Sequence, residues 1–254
     1  MTLLEQVEDV LPLFEAQGRL VELPRNAPIV FVGDTHGDLD ATERVLARFL
    51  DGEHVLVLLG DTVDRGPNSE ENLKLVLETK RAHPETVFLL MGNHEAWGAA
   101  TFSPADFWNS LDTGTAETLA AALLRLPFAA HHPSGVLAVH GAIPNLRSLD
   151  EIANIEPGSD AWRAITWGDF YAEEKTSVGG RPGFDRLDFE SRSERLGIQT
   201  LVRSHQPSAP KYLFDNRCLT LFTSSAYGDT ERSVARLKPG IQLRTAHDLE
   251  LIGI

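Results

Sequence analysis

"PIVFVGDTHGDLDATERVLARFLDGEHVLVLLGDTVDRGP", residues 28–67, sets two short apolar runs, 28–32 and 54–59, on either side of an amphipathic segment, 39–50. Runs this short and this continuously apolar predict strands buried on both faces, and the spacing between them predicts a helix. A strand, helix, strand unit of this length joins parallel strands by a right-handed crossover. The pattern then repeats: a predicted helix over 69–83, with Ser69 as N-cap and Leu73, Val76 and Leu77 on one face, leads into an apolar strand over 86–91. The fold class is therefore α/β, built on a parallel sheet.

Each of the three strands runs into a polar cluster: "GDTHGD" (33–38), "GDTVDRG" (60–66) and "GNHE" (92–95). The clusters are roughly 30 residues apart, the length of one strand–helix repeat, which places them side by side on one edge. Sheets of this kind bind ligands beyond the carboxyl ends of their strands. One such turn alone is ambiguous, because Asp and Gly are ordinary turn residues and an Asp–Arg pair can simply stitch a loop.

Leu3 to Ala16 has helical apolar spacing and reads as a docking helix. Beyond residue 100 a helix is predicted over 117–127, with short strands over 135–141, 200–205, 218–222 and 233–237. These form a second, partly antiparallel sheet packed on the first. Residues 168–184, rich in Gly and charge, read as a long surface loop of the kind that usually carries function. The expected organisation is one catalytic domain over 1–254: a docking helix and loop (1–26), a core (27–228) and C-terminal strands (229–254).

Composition narrows the function. The 254 residues are 42% hydrophobic and 24% charged, with a formal net charge of −14. A broad nucleic-acid surface is disfavoured, since that binding rests on clustered Lys and Arg. The single cysteine, Cys218, excludes an intrachain disulfide and a thiolate-rich metal site, as expected of a cytoplasmic protein. No apolar run has the length of a membrane span, so no membrane partner is expected.

Six polar residues follow apolar strands: Asp34, His36, Asp61, Asn93, His140 and His205. All are oxygen or imidazole donors, a set that suits Mn, Fe or Zn and not a structural zinc. A carboxylate can bridge two cations, and Asp61, central in the row, is the natural bridge. His54, His83, His131, His132 and His247 lack such context and are assigned nothing.

The three clusters resemble the signature blocks of the PPP-type metallophosphatases, the serine/threonine branch of the calcineurin-like phosphoesterases. "VHGAIP" (139–144), "ITWGDF" (165–170), "RSHQ" (203–206) and "LFTSSAYG" (221–228) are similar to later blocks of that family, in order. The resemblance implies a metallophosphoesterase-like β-sandwich of two mixed sheets flanked by helices, with two divalent ions, Mn above Fe or Zn, at the strand ends. It further implies that Asp34, His36 and Asp61 hold one ion, and Asp61, Asn93, His140 and His205 the other. His94 would protonate the leaving group with Asp64 orienting its ring, and Arg65 and Asn93 would contact the phosphate. Arg181, with Arg186 as competitor, matches a second phosphate-binding arginine; Arg203 and Tyr227 also belong near the substrate, and Trp167 matches a loop tryptophan. Two such ions can share a water, lower its pKa and hold it in line with the scissile P–O bond.

The family departs from this sequence at Ala142, where a second Gly is usual, and in "TSSAYG", which lacks the usual Pro-Asn pair before the tyrosine. The expected function is dephosphorylation of phosphoserine and phosphothreonine in proteins. Two alternatives stay open: a symmetrical diadenosine tetraphosphate hydrolase or related nucleotide phosphoesterase, and a catalytically dead binding scaffold. Asp64 leans the choice to the protein phosphatases, which share "VDRG".

Overall fold

The computed structural model describes residues 1–172, 180–228 and 231–254. Its elements run α1 (Leu3–Gln17), β1 (Leu20–Glu22), β2 (Ile29–Val32), α2 (Leu39–Phe49), β3 (Val55–Leu58), α3 (Ser69–Ala82) and β4 (Val87–Leu89) in the first part of the chain. There follow α4 (Asp106–Ser110), α5 (Thr113–Leu123), β5 (Ala129–His132), β6 (Val136–Val139), α6 (Asp160–Trp167), β7 (Asp169–Phe170), β8 (Gly183–Phe184) and α7 (Arg186–Leu196). The chain closes with β9 (Thr200–Arg203), β10 (Tyr212–Leu213), β11 (Cys218–Thr220), β12 (Ser233–Leu237) and β13 (Glu250–Gly253).

Two mixed sheets stack face to face. One has the order β13-β12-β2-β3-β4, with β2, β3 and β4 parallel and β12 antiparallel to β2. In register, Val32 lies beside Leu58 and Leu58 beside Leu89, so the three polar clusters leave the sheet at one level. The other sheet has the order β1-β5-β6-β9-β11-β10, and its parallel pair β6 and β9 delivers His140 and His205. An isolated bridge from Asp34 to Phe222 ties the two sheets together at the same edge.

Strand alternation divides the apolar residues between two layers. Ile29, Phe31, Val55 and Val57 meet Val136, Ala138, Val202 and Leu219 between the sheets. Val30, Val32, Leu56 and Leu58 face outward, within a cluster that includes Val10 and Phe14 of α1 and Leu73 and Leu77 of α3. Both faces of β2 and β3 are thus covered, which is why these strands read as unbroken apolar runs.

Two glycines permit the closure at the functional edge. A Cβ on Gly33 would overlap the Leu221 carbonyl of the opposing sheet. Gly60 has φ +103°, and a Cβ there would meet the backbone nitrogen of Gly92. Neither site has room for a side chain.

Several elements differ from the sequence pattern. The strand 233–237 joins the first sheet, beside β2, and not the second; alternation reveals a strand but not its partner. The helix after residue 110 starts at Thr113, where the Asp112 carboxylate accepts the Thr115 amide, and it ends before Pro127. Ser69 is the first helical residue of α3, and Asn68 is its cap position, without a side-chain bond. The predicted loop 168–184 opens and closes on the short parallel pair β7–β8, and its residues 173–179 lie outside the described residues. No helix among the described residues is long and apolar enough to cross a membrane.

Candidate active site

The loops at the sheet edge are held in unusual backbone. His36, Asp61, Asp64, Arg65 and His205 all have positive φ, from 44° to 73°. Each such non-glycine residue costs about 1–3 kcal/mol, and such strain persists where the surroundings over-determine it. The surroundings here include Glu95, which is fully buried. Its Oε2 accepts the Asp61 amide at 2.7 Å and the Gly92 amide at 3.1 Å, while Oε1 accepts both the Thr62 amide and hydroxyl at 2.8 Å. Asn72 of α3 donates to Thr35 Oγ1 and the Thr62 carbonyl. The first two clusters are thereby clamped to each other and to the third.

Backbone carbonyls fix the imidazoles. His36 Nδ1 donates to Val63 O at 2.8 Å, and His140 Nδ1 to Leu59 O at 2.9 Å, so both Nε2 lone pairs turn inward. His140 Nε2 lies 3.1 Å from Asn93 Oδ1, 3.2 Å from His205 Nδ1 and 3.3 Å from Asp61 Oδ2. His205 is supported from behind, its Nε2 standing 3.3 Å from Asp169 Oδ1. On the other side, Asp61 Oδ2 is 3.6 Å from His36 Nε2, which is 3.7 Å from Asp34 Oδ2. Asp61 therefore stands between two groups of donors, His36–Asp61–His94 and Asp61–His140–His205, each with its ligand atoms within 4.8 Å of one another.

The electrostatics describe a cation site. Burial and the neighbouring Asp61 push the Asp34 carboxyl up to about 7, against the opposing pull of His140. Burial would raise Asp61 too, but His140 and His94 hold it well below the usual carboxylate range. Burial drops His36 and His205 to about 4, so both rings are neutral and able to ligate. Burial would also lower His140, yet the Asp61 and Asp34 carboxylates push it up to about 9. A pocket this eager for a proton is eager for a metal ion on the same grounds. The Asp34 Oδ2 atom is buried without a hydrogen-bond partner, as a ligand atom would be. The donor set fits divalent metal ions.

His94 is tied on three sides. Its Nδ1 lies 2.6 Å from Asp64 Oδ2, its amide donates to Asp61 Oδ1, and its carbonyl accepts the Trp108 indole N–H. Asp64 Oδ1 in turn accepts the Phe107 amide at 2.7 Å. Nε2 of His94 is left facing Asp61 at 3.9 Å. Arg65 is steadied by the Pro104 carbonyl at 3.0 Å. Tyr227 places its hydroxyl 3.0 Å from His36 Nε2, and burial raises its pKa.

The expected arginines part ways. Arg181 lies over Trp167, 5.1 Å from the ring, with Nη1 3.5 Å from Asp169 Oδ2, beside the site. Arg203 does not reach the cleft: it is fully buried, and its Nε and Nη2 hold the carbonyls of Gly141 and Gly168. Arg186 pairs with Asp215 and Glu190 on the surface. The sequence reading gave no role to Glu95, Asp169 or Phe102, whose ring is 4.4 Å from that of His94. Glu95 and Asp169 stand within the "GNHE" and "ITWGDF" blocks, but a clamp from behind leaves no mark distinct from a ligand.

Because all four partners of Glu95 donate, Glu95→Gln turns an N–H toward at least one donor. The expected result is a loss of about 1–3 kcal/mol in denaturant unfolding, the cost of an unsatisfied buried group. Unchanged stability would show that the clamp is not needed.

Comparisons with known proteins agree with this geometry. The family model "Calcineurin-like phosphoesterase" matches residues 27–209. Serine/threonine-protein phosphatase T of Aspergillus oryzae is 27% identical over 265 residues, covering 94% of this chain and 54% of that protein. The chain spans about half the length of the curated relatives it matches. A Saccharomyces cerevisiae protein serine/threonine phosphatase with similarity to human PP5 superposes with a TM-score of 0.84 at 21% identity, over 99% of this chain and 88% of that one. A putative diadenosine tetraphosphatase superposes with a TM-score of 0.59 at 22% identity, over 93% and 98%. At such identities the two structures speak for the fold, whereas the family model covers most of the sequence, including Asp34, His36, Asp61, Asn93, His94, His140 and His205. The chain belongs to the calcineurin-like phosphoesterase family.

Proposed function

We propose that this protein is a metal-dependent phosphomonoester hydrolase that removes phosphate from serine and threonine side chains of proteins. The observation that carries the reading is the His94–Asp64 pair, 2.6 Å apart, set beside a carboxylate shared by two donor groups. Asp34, His36 and Asp61 would hold one divalent ion, and Asp61, Asn93, His140 and His205 the other. Bound there, the ions would supply an activated water and offset phosphate charge; Mn is favoured, with Fe and Zn compatible with the same donors.

The chain's own groups do the rest. Arg65, on the turn that carries Asp61, offers a planar guanidinium to two phosphate oxygens, with Arg181 approaching from the Trp167 side. Asn93 and Tyr227 complete the ring of polar atoms around the phosphate. His94 holds a proton at Nε2 for the departing alkoxide, and Asp64 fixes the orientation of the ring. Phe102 and Trp167 wall off water on the leaving-group side. Cysteine usage supports a cytoplasmic setting.

The test is a substrate panel with defined metals: phosphoserine, phosphothreonine and phosphotyrosine peptides, p-nitrophenyl phosphate and diadenosine tetraphosphate. Chelation should abolish turnover, Mn should restore it, and phosphoserine or phosphothreonine peptides should outrank the dinucleotide. Metal-independent turnover would sink the hydrolase reading. Preference for diadenosine tetraphosphate would replace the substrate class, and no turnover with any metal would leave a binding scaffold.

A further inference from the structure

Next to the catalytic centre lies a cleft of about 310 Å³ whose wall is aromatic, with Phe102, Trp162 and Trp167, and whose rim carries Arg163 and Arg181. Two of its lining residues touch the reacting groups. The Phe102 ring sits 4.4 Å from the His94 ring and 5.8 Å from Trp167, and Trp167 is 6.1 Å from His205. With His94 facing the leaving oxygen, as in the proposed function, the chain bonded to that oxygen has a path past Phe102 into this cleft.

The two arginines differ in what they already hold. Arg181 lies against Trp167 and near the Asp169 carboxylate. Arg163 is exposed and has no carboxylate partner among the described residues, although the chain carries a net charge of −14. It stands one helical turn before Trp167 on α6, so its charge projects along the rim that a bound peptide would follow. An exposed cation at the rim of an aromatic cleft, with no carboxylate partner among the described residues, is complementary to a carboxylate on the ligand.

We infer that Arg163 forms a subsite for an acidic side chain flanking the phosphorylated residue, so that the preferred substrates are acidic phosphopeptides. This rests on the phosphoprotein phosphatase reading above. One turn of helix rises about 5–6 Å and an extended peptide advances about 3.3 Å per residue, so the step from Trp167 to Arg163 spans about two peptide residues and the acidic position is sought in the four on each side of the phosphate.

The experiment uses phosphoserine peptides with a single Glu, Ala or Lys scanned through the four positions on each side, with Mn supplied. The readout is the ratio of kcat/KM for Glu and Ala peptides within each enzyme, so a general loss of activity cancels. In the unaltered protein at least one position should favour Glu about 3- to 10-fold, with the gain in KM and shrinking as salt is raised. Arg163→Ala should bring that ratio to about one, and Arg163→Glu should favour Lys at the same position; thermal melts check that both variants fold. No Glu preference at any position, or one that survives both substitutions, would overturn the subsite and leave the phosphatase reading intact. Turnover of p-nitrophenyl phosphate with no turnover of any phosphopeptide would overturn the protein-substrate reading and the subsite with it.

Discussion

Asp61→Asn is expected to lower kcat/KM by about 1,000-fold, or about 4 kcal/mol of transition-state stabilisation, and to strip metal from the protein at the same time. The amide keeps the side chain's shape and its Oδ1 contact with the His94 amide. It turns an N–H, however, toward the space where Oδ2 now faces His36 at 3.6 Å and His140 at 3.3 Å. A donor at that point opposes a cation on either side, so both donor groups lose affinity together. Metal content measured by mass spectrometry should fall in parallel with the rate, and a cooperative unfolding curve checks that the variant is folded. A variant that keeps two ions and its rate would show that Asp61 does not bridge.

His94→Asn is expected to separate the proposed proton delivery from metal binding. The expected loss is about 10²- to 10⁴-fold in kcat on a phosphoserine peptide, the usual range for removing a positioned acid, with metal content unchanged if Asp34, His36 and Asp61, and not the nearby His94, are the ligands on that side. Two of the three ties on residue 94 run through its backbone, to Asp61 Oδ1 and Trp108 Nε1, and survive the substitution. With p-nitrophenyl phosphate the leaving group needs little help from a proton, and the loss should be much smaller. Equal losses on both substrates would remove His94 from the role of acid. Asp64→Asn should show the same substrate dependence more weakly, since it removes the support of the ring and not the ring itself.

How far the fold was legible depended on burial. Strands β2, β3 and β4 were plain because both of their faces are covered, and the sequence there is almost purely Val, Leu, Ile and Phe. Strand β5, "AAHH", has no such signature; it is a strand because β1 and β6 flank it. Helix α7, "RLDFESRSERL", buries only a few residues, including Phe189, Ser193 and Leu196, too sparse a stripe to stand out from its charged surroundings. Strand β12 was visible, but its partner β2 is some 200 residues away, a distance over which local pattern carries nothing.

The donor residues were legible because each ends an apolar strand, and the structure gathers Asp34, His36, Asp61, Asn93, His140 and His205 at one edge. Arginines were less so. Arg181 and Arg203 look alike in the sequence, and only burial distinguishes the one at the rim from the one beneath it, bonded to Gly141 and Gly168. Arg163 had no motif to mark it, since its interest lies in what surrounds it.

The glycines at 33 and 60 change what the recurring blocks mean. Each stands at a seam where two backbones touch, and it is required whether or not a metal ever binds its neighbour. A descendant that had lost Asp61 and His94 and become an inert scaffold would still need Gly33 and Gly60 to close its sheets. Part of the signature is therefore inherited with the architecture and part with the chemistry. Among distant kin, the glycines would identify ancestry, while the acids, amides and imidazoles beside them would tell the living enzymes from the retired ones.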